Sequence, residues 1–349
     1  MRTIEWKANK IRIIDQTKLP GALVFRDIGD LKTLWESVKM MWVRGAPALG
    51  IAAALGMYLG IRDCPEGDWK NFLRVLDKTA GYIKSSRPTA RDLFYGIERI
   101  LNSVGRGKRR QVDAARKAVL EEAKKMILED TRSCRRIGRY GKGLLKPGAS
   151  VLTICNAGSL ATVDYGTALG VVYAACSAGK KIKVFACETR PLLQGSRLTC
   201  WELLRAGVDV TLIADNTAAA LMSTGKVDCV ITGADRIALN GDTANKIGTL
   251  NLALLCRHHR IPFYVAAPKK TFDFKIRDGR GINIEMRGSE EVSKILFKRE
   301  TSPRSCKVLN PAFDVTDCGL ISAIVTDYGV IRPPYSRNIR RILGRTDES

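Results

Sequence analysis

Histidine is scarce in this 349-residue chain, because it occurs only at His258 and His259. Successive side chains on a helix point about 100° apart, so this adjacent pair does not converge on one metal ion. We therefore expect no zinc chemistry and no bound metal. A nucleophilic triad built on a histidine would have to use one of these two residues, which disfavours that mechanism.

Long apolar runs and nucleotide-binding glycine loops are also missing. The longest uncharged apolar run, 46–61, is shorter than the ~20 residues that cross a bilayer, and the first ten residues contain no apolar signal core. The chain has neither the phosphate loop of triphosphate-binding proteins nor the dinucleotide fingerprint. We expect no membrane association and no cofactor.

Cysteine is abundant, but its ten residues form no Cys-x-x-Cys pair. Several lie inside apolar segments, where a reduced cysteine behaves as a small hydrophobic side chain. Disulfides belong to oxidising compartments, so this arrangement predicts a cytoplasmic protein.

The charge is strongly positive, since 58 Lys and Arg residues against 35 Asp and Glu residues leave a net charge of +23. Such a charge attracts phosphorylated metabolites, nucleic acid or acidic membrane surfaces, and the densest cluster is at 106–110. A solvated basic surface is the simpler interpretation. No zinc finger or aromatic–basic RNA motif supports nucleic-acid binding, which we do not expect.

The hydrophobic pattern divides the chain into two parts. Residues 1–25 alternate between apolar and polar and predict a short β-sheet, whereas helical periodicity follows up to about residue 145. The predicted helices are 31–41, 47–61, 69–84, 89–104 and 112–128. We therefore predict a smaller, mostly helical N-terminal domain, 1–128, that carries a short β-sheet.

After Pro147, short apolar strands alternate with helices. The strands are predicted at 151–154, 183–186, 208–213, 229–231 and 263–266, and the helices at 163–178, 196–206, 218–224 and 244–259. This alternation is typical of an α/β fold with a parallel sheet, right-handed crossovers and helices on both faces. We predict a Rossmann-like α/β domain over 129–349.

Polar residues follow four of the five predicted strands of this domain. They occur at 155–158, 188–191, 215–216 and 233–236. The carboxyl ends of parallel strands share one edge of the sheet, where ligands bind. Single clusters of this kind often cap the next helix, but their number favours a site for a polar ligand.

Two helix starts are candidates for phosphate binding. Arg44 and Gly45 precede a helix with Pro47 in its first turn, so free N–H groups and one cation could face an anion. Asn245 and Lys246 are predicted to open another helix with the same combination.

Six motifs resemble those of methylthioribose-1-phosphate isomerases. They are RGAPALG at 44–50, TICNAG at 153–158, ETRP at 188–191, QGSRLT at 194–199, GADRI at 233–237 and NGDTANKIGT at 240–249. The resemblance covers nearly the whole chain in the family's order. The chain departs from the family at Ile154, where histidine is usual, and at Leu250, where tyrosine is frequent. These departures bear on substrate specificity rather than on the fold.

The resemblance implies conversion of 5-methylthioribose 1-phosphate into 5-methylthioribulose 1-phosphate in methionine salvage. It implies that Asp235 donates a proton to the ring oxygen and that Cys155 assists at the reacting carbons. It also implies a homodimer, a pentose 1-phosphate as the small-molecule partner, and a set of substrate-binding residues. These residues are Arg44, Gly45, Ala46, Arg87, Gln194, Asn245 and Lys246.

Other functions stay open at this point. Related folds serve ribose-1,5-bisphosphate isomerases and non-catalytic regulatory subunits of the translation-initiation exchange factor. An isomerase acting on 5-deoxyribose 1-phosphate is a further alternative. The joint presence of Cys155 and Asp235 favours an enzyme over a regulatory subunit.

Overall fold

The computed structural model describes residues 1–105, 111–296 and 298–344, so the basic cluster at 106–110 lies outside the described residues. The chain forms two compact units. The first comprises Met1–Arg132 and Ser159–Gly166, and the second comprises Ser133–Gly158 and Thr167–Ser349. The segment 159–166 thus belongs with the amino-terminal residues, which the predicted boundary at 128/129 did not include. That boundary stays a prediction.

The first unit begins with a small antiparallel sheet, as the alternating pattern predicts. Its strands are β1 (Ile4–Lys7), β2 (Lys10–Ile14) and β3 (Phe25–Ile28), in that order. Four helices follow: α1 (Leu31–Lys39), α2 (Ala46–Ile61), α3 (Trp69–Ser86) and α4 (Arg91–Gly105). Helix α2 is apolar all around and mostly buried, because the other elements of this core cover it on several sides.

Helix α5 (Val112–Gly141) continues beyond the predicted end at 128, so that prediction was wrong. Polar residues dominate this stretch and hide its periodicity, yet Cys134 and Ile137 are buried three residues apart. The apolar stripe therefore persists on one side of the helix.

The core of the second unit is a seven-stranded sheet. In chain order its strands are β4 (Ser150–Thr153), β5 (Lys183–Cys187), β6 (Asp209–Ile213) and β7 (Cys229–Thr232), with three more later in the chain. A four-stranded sheet adds β8 (Arg236–Ala238) and β9 (Thr243–Lys246). The remaining strands are β10 (Phe263–Ala266), β11 (Phe272–Asp273), β12 (Lys294–Ile295), β13 (Arg299–Glu300), β14 (Phe313–Thr316), β15 (Ala323–Thr326) and β16 (Gly329–Ile331).

The spatial order of the large sheet is β16-β15-β10-β7-β4-β5-β6, and all pairs are parallel except β15–β16. The five strands predicted from the sequence are confirmed. The helices of this unit are α6 (Ala168–Ser177), α7 (Cys200–Arg205), α8 (Thr217–Ser223), α9 (Thr249–His259), α10 (Glu290–Ser293) and α11 (Tyr335–Leu343). None of the helices in the described ranges is both long and apolar enough to span a membrane.

Two helix predictions for the part of the chain after Pro147 need correction. Residues 163–167 precede α6 without being helical, and 244–246 form β9 rather than the first turn of α9. Strand β9 lies between β8 and β14 in the four-stranded sheet, which has the order β11-β8-β9-β14. These partners are distant in sequence, so local periodicity could not reveal them.

Candidate active site at the carboxyl edge of the parallel sheet

Cys155 lies just beyond the carboxyl end of β4, half-buried, with a backbone φ of 62°. A positive φ is uncommon for any residue other than glycine. It costs of order 1–3 kcal/mol, so it persists only where the surrounding structure imposes it. Strained backbone of this kind is concentrated at functional sites. The conformation thus marks Cys155 among the ten cysteines.

Two threonine hydroxyls bind the backbone of Cys155 from both sides. Its N–H donates to Thr189 Oγ1 at 2.8 Å, and its carbonyl oxygen accepts from Thr199 Oγ1 at 2.6 Å. Thr189 follows β5, and Thr199 ends the π-helical turn Gly195–Thr199 that leads into α7. The ETRP and QGSRLT motifs therefore meet at this cysteine.

A buried polar network extends behind these threonines. The side-chain amide of Asn156 donates to Glu202 Oε1 and, at 3.2 Å, to Thr199 Oγ1. The other carboxylate oxygen of Glu202 accepts from the Tyr173 hydroxyl at 3.2 Å. Because Glu202 is only 4% exposed, these bonds supply the partners that a buried carboxylate requires.

Asp215, at the end of β6, holds the loop that carries Thr189. Its Oδ1 accepts from the Thr189 N–H and its Oδ2 from the Arg190 N–H, both at 2.7 Å. Thr189 also has a positive φ of 67°. A β-branched residue rarely adopts this conformation, so the bonds from Asp215 impose a strained turn next to Cys155.

Asp235 follows β7, the strand that pairs directly with β4. It is half-buried, and its N–H donates to the Ala244 carbonyl at 2.9 Å. The two loops approach closely: a Cβ atom on Gly233 would lie 2.8 Å from Ala157 Cβ. The loops that carry the predicted catalytic residues therefore leave neighbouring parallel strands at the same edge and pack against each other.

Gln194 presents a polar atom without a partner. Its side chain is 7% exposed, and Oε1 accepts no hydrogen bond from any described residue. A buried acceptor in this state carries a desolvation cost, which a ligand hydroxyl could remove.

Asn245 and Lys246 lie on β9. Asn245 Nδ2 donates to Thr249 Oγ1 at 3.0 Å. Lys246 Nζ donates to the Ala312 carbonyl at 2.9 Å and lies 4.9 Å from the centre of the Phe313 ring. The prediction that these two residues open a helix was wrong.

The first amides of α9 are taken by a carboxylate of the chain itself. Asp314 Oδ2 accepts from the Gly248 N–H at 2.7 Å, and Oδ1 accepts from the Leu250 N–H at 3.1 Å. Burial raises the pKa of the Asp314 carboxyl, although these two bonds partly offset that rise. These two amides therefore already have a partner in the Asp314 side chain.

The remaining predicted site residues belong to the first unit. Gly45 is the N-cap of α2 with φ of 91°, and a Cβ atom there would overlap the Ala161 carbonyl oxygen, so glycine is required. Ala46 begins the helix. Arg44 Nε donates to Gln16 Oε1 at 3.0 Å. Arg87 is half-buried and caps the carboxyl end of α3, rather than starting α4 at Arg91.

A cavity of about 670 Å³ opens in the second unit beside Ile154. Its wall is largely aliphatic, and its charged members are engaged: Asp215 accepts the two amides described above, and Arg190 donates to the Pro191 and Val292 carbonyls. None of the predicted site residues lines it.

Among the described residues, Asp242, Asp317 and Cys318 bring three potential metal-binding atoms within 4.8 Å of one another. Asp242 accepts hydrogen bonds from the Cys318 and Gly279 N–H groups, and burial next to this carboxylate raises the pKa of the Cys318 thiol to about 11. Both oxygens of the Asp242 carboxylate are thus hydrogen-bonded within the protein.

Sequence reasoning did not assign roles to Thr189, Thr199, Glu202, Gln16 or Asp314. Thr189 and Thr199 lie inside motifs that were identified, and Glu202 follows Thr199 at the i+3 spacing that places two side chains on one helix face. That spacing was an available signal. The roles of Gln16 and Asp314 depend on contacts with segments remote in sequence.

Comparison with known proteins finds relatives that match nearly the whole chain. A model of the initiation factor 2 subunit family matches residues 42–333. The 5-deoxyribose 1-phosphate isomerase of Moorella thermoacetica is 50% identical over 340 residues, which cover 97% of each chain. The methylthioribose-1-phosphate isomerase of Geobacter sp. strain M21 is 49% identical over 344 residues, which cover 99% of each.

Two solved structures are also closely similar. That of 5-methylthioribose 1-phosphate isomerase from Pyrococcus horikoshii has a TM-score of 0.91 and 40% identity, covering 98% of this chain and 96% of that one. That of the translation initiation factor eIF-2B subunit delta from A. fulgidus has a TM-score of 0.88 and 47% identity, covering 99% of both. These matches confirm the mixed α/β fold with a mainly parallel central sheet and the predicted resemblance. The chain belongs to the initiation factor 2 subunit family.

Proposed function

We propose that the protein is an aldose–ketose isomerase that converts 5-methylthioribose 1-phosphate into 5-methylthioribulose 1-phosphate in methionine salvage. The observation that carries this proposal is full-length similarity, at 49% identity, to an enzyme of that name. The placement of Cys155 and Asp235 beyond neighbouring parallel strands supports it, because one small substrate could contact both loops.

The chemistry requires an acid, because phosphorylation of the anomeric oxygen prevents the sugar ring from opening as a free hemiacetal does. In the proposed mechanism Asp235 is the carboxylic acid that protonates the ring oxygen, which breaks the C1–O bond of the ring. Hydrogen then moves from C2 to the cationic C1. The C2 hydroxyl becomes the ketone by giving up its proton, which returns to the Asp235 carboxylate. Cys155 assists at these two carbons. General acid catalysis of this kind typically contributes about 10²–10⁴-fold in rate.

Substrate binding is assigned to residues with suitable unsatisfied or charged groups. Gln194 Oε1 accepts a sugar hydroxyl, and Lys246, which spends one N–H on Ala312, has two further donors for phosphate. Asn245 is buried beside Lys246. Arg44, Gly45, Ala46 and Arg87 are assigned to substrate binding on the resemblance.

A 5-deoxyribose 1-phosphate substrate is the second candidate. The relative from Moorella thermoacetica carries that activity in its name and is 50% identical. The two substrates differ only at C5, where one carries a thiomethyl group and the other hydrogen, so the same acid and thiol serve both. The A. fulgidus relative is named as a translation initiation factor subunit. A regulatory subunit of that type would need neither the Asp235 carboxyl group nor the Cys155 thiol.

The deciding experiment is an assay of the purified protein with the 1-phosphates of 5-methylthioribose and 5-deoxyribose and with ribose 1,5-bisphosphate. We expect ketose formation from 5-methylthioribose 1-phosphate with the highest kcat/KM, and its loss in Cys155→Ser. The Cys306→Ser variant, which changes an exposed cysteine, is the matched control. No product from any of the three sugars would support the regulatory function instead.

Three further proposals concern the organisation of the protein. On the resemblance, we propose that the protein forms a homodimer, which sedimentation equilibrium would test. We propose a cytoplasmic location, because all ten cysteines lie in the described residues and are free thiols. We also propose that residues 1–128 and 129–349 are the two domains, with the larger one catalytic.

A further inference from the structure

Cys155 stands where the parallel ladder has ended, since the pairing of β4 with β5 stops at Thr153. Its backbone N–H and carbonyl are both hydrogen-bonded by side chains. Thr189 Oγ1 accepts from the N–H, and Thr199 Oγ1 donates to the carbonyl. Two side-chain hydroxyls thus hold the backbone of Cys155, which has a strained left-handed conformation, beyond the end of the strand pairing.

Thr199 bonds to both residues that the Cys155–Asn156 peptide joins. Its hydroxyl donates to the Cys155 carbonyl at 2.6 Å and accepts from the Asn156 side-chain amide at 3.2 Å. The side chain is fully buried, so water does not compete for either bond. Glu202, which lies three residues further along, accepts a hydrogen bond from the same Asn156 amide and so holds that amide next to the Thr199 hydroxyl.

The backbone dihedrals of a residue determine the direction in which its Cα–Cβ bond leaves the chain. A left-handed Cys155 is unfavourable by itself, so relaxation toward negative φ would re-aim the thiol. The hydroxyl of Thr199 opposes that relaxation, because rotation of the peptide would break its bond to the Cys155 carbonyl.

We propose that Thr199 is a positioning residue for the thiol of Cys155: its hydroxyl holds the Cys155–Asn156 peptide in the orientation that the isomerisation needs. Thr189 acts on the preceding peptide in the same way. This proposal rests on the proposed function, because it takes Cys155 as the assisting thiol. It goes beyond that function in assigning the π-helical turn Gly195–Thr199 a part in aiming the thiol.

The test uses the full-length protein and three variants. Thr199→Val keeps the shape and removes the hydroxyl, whereas Thr199→Ser keeps the hydroxyl. Thr326→Val is the matched control, because the buried Thr326 hydroxyl also donates to a backbone carbonyl, that of Gly329 at 2.9 Å, and accepts an N–H, that of Tyr328. Each protein is assayed for kcat and KM with 5-methylthioribose 1-phosphate, and for alkylation of Cys155 by iodoacetamide, resolved by peptide mass spectrometry with exposed Cys306 as the internal reference.

We expect Thr199→Val to lower kcat about 100-fold, as misplacement by about 1 Å does, while KM changes little. We expect its Cys155 alkylation rate, relative to Cys306, to change by about tenfold or more, because exposure and orientation of the thiol change together. In Thr199→Ser and in Thr326→Val, kcat and the relative alkylation rate of Cys155 should both stay near their wild-type values. If Thr199→Val does not fold, Thr189→Val removes the hydroxyl on the other side of Cys155 and should give the same pattern.

Wild-type kcat and wild-type Cys155 alkylation in a folded Thr199→Val protein would overturn the proposal. An equal loss in Thr199→Val and Thr326→Val would also overturn it, because the effect would then be one of general stability. If the wild-type protein isomerises none of the sugar phosphates, the proposed function fails. The alkylation ratio then decides by itself whether Thr199 aims the thiol.

Discussion

The side-chain oxygen of Gln16 accepts a 3.0 Å hydrogen bond from Nε of Arg44. The amide nitrogen of Gln16 donates to the Leu160 carbonyl at 2.7 Å, and its backbone N–H donates to the Trp42 carbonyl at 2.9 Å. Gln16 is only 1% exposed. Gln16, held by two backbone carbonyls, therefore orients the guanidinium that we assign to the substrate phosphate.

Substitution of Gln16 by leucine should weaken phosphate binding, because the guanidinium of Arg44 loses a fixed partner. We expect KM for the pentose 1-phosphate to rise about tenfold, which corresponds to one hydrogen bond to a charged group, with a smaller effect on kcat. Steady-state kinetics check this. Gln111→Leu changes an exposed glutamine of the same unit and should leave KM as it is. An unchanged KM in Gln16→Leu would remove the role assigned to Gln16.

Asp235→Asn should abolish turnover and keep substrate affinity. The amide retains the shape and polarity of the carboxyl group but cannot deliver a proton to the ring oxygen, so kcat should fall by at least about 10²-fold. Calorimetric titration of the inactive variant with 5-methylthioribose 1-phosphate should give a dissociation constant near the wild-type KM. Turnover near the wild-type rate would show that another group is the acid.

Gly45→Ala should destabilise the protein more than Gly67→Ala. Both glycines lie in the first unit with φ near 90°, but only at Gly45 does a Cβ atom meet other atoms, those of Ala161. Backbone strain alone is of order 1–3 kcal/mol, and the overlap adds about 1–3 kcal/mol more at Gly45. Urea unfolding of both variants measures the difference. Equal losses would mean that the strained dihedral accounts for the whole effect.

Three buried thiols should stay protonated across the neutral range. Burial raises the pKa of Cys187, Cys229 and Cys256 from 9.0 to about 12. At pH 8 only about one in 10⁴ of each is thiolate, so we expect them to resist iodoacetamide in the folded protein while exposed Cys306 reacts readily.

The same shift has a consequence for stability. Unfolding returns the three pKa values to about 9.0, so the unfolded chain binds fewer protons than the folded one above that pH. The contribution is complete below pH 9 and is lost as the pH rises toward about 12. The free energy of unfolding should therefore fall over that range. Rapid alkylation of these thiols at pH 8 would contradict the raised pKa values on which both predictions depend.

Most strands and helices were predictable because their signal is local. The strand from Phe263 to Ala266 is a short run of apolar residues at the predicted position, and α2 is an uninterrupted apolar helix. The failures have non-local causes. Strand β9 is determined by pairing with β14, some 70 residues later, with Asn245 opposite Asp314. No window around residue 245 contains that information.

The candidate site also combines features that the sequence predicts with features that depend on tertiary contacts. Cys155 and Asp235 could be chosen from the sequence, because motif identity and position after a strand are properties of the linear chain. Three features of the site could not be predicted from the sequence. They are the positive φ of Cys155, the bonds that join its two peptides to the hydroxyls of Thr189 and Thr199, and the bonds from the α9 amides to Asp314.

The order of amino acids by itself determined the strand–helix alternation, the polar strand ends and the kinds of side chain available for chemistry, since these follow from periodicity and residue type. Only the tertiary structure decided which hydrogen-bonding groups meet. A buried donor or acceptor must find its partner wherever the folded chain brings one, and for Cys155 those partners come from two segments 34 and 44 residues away.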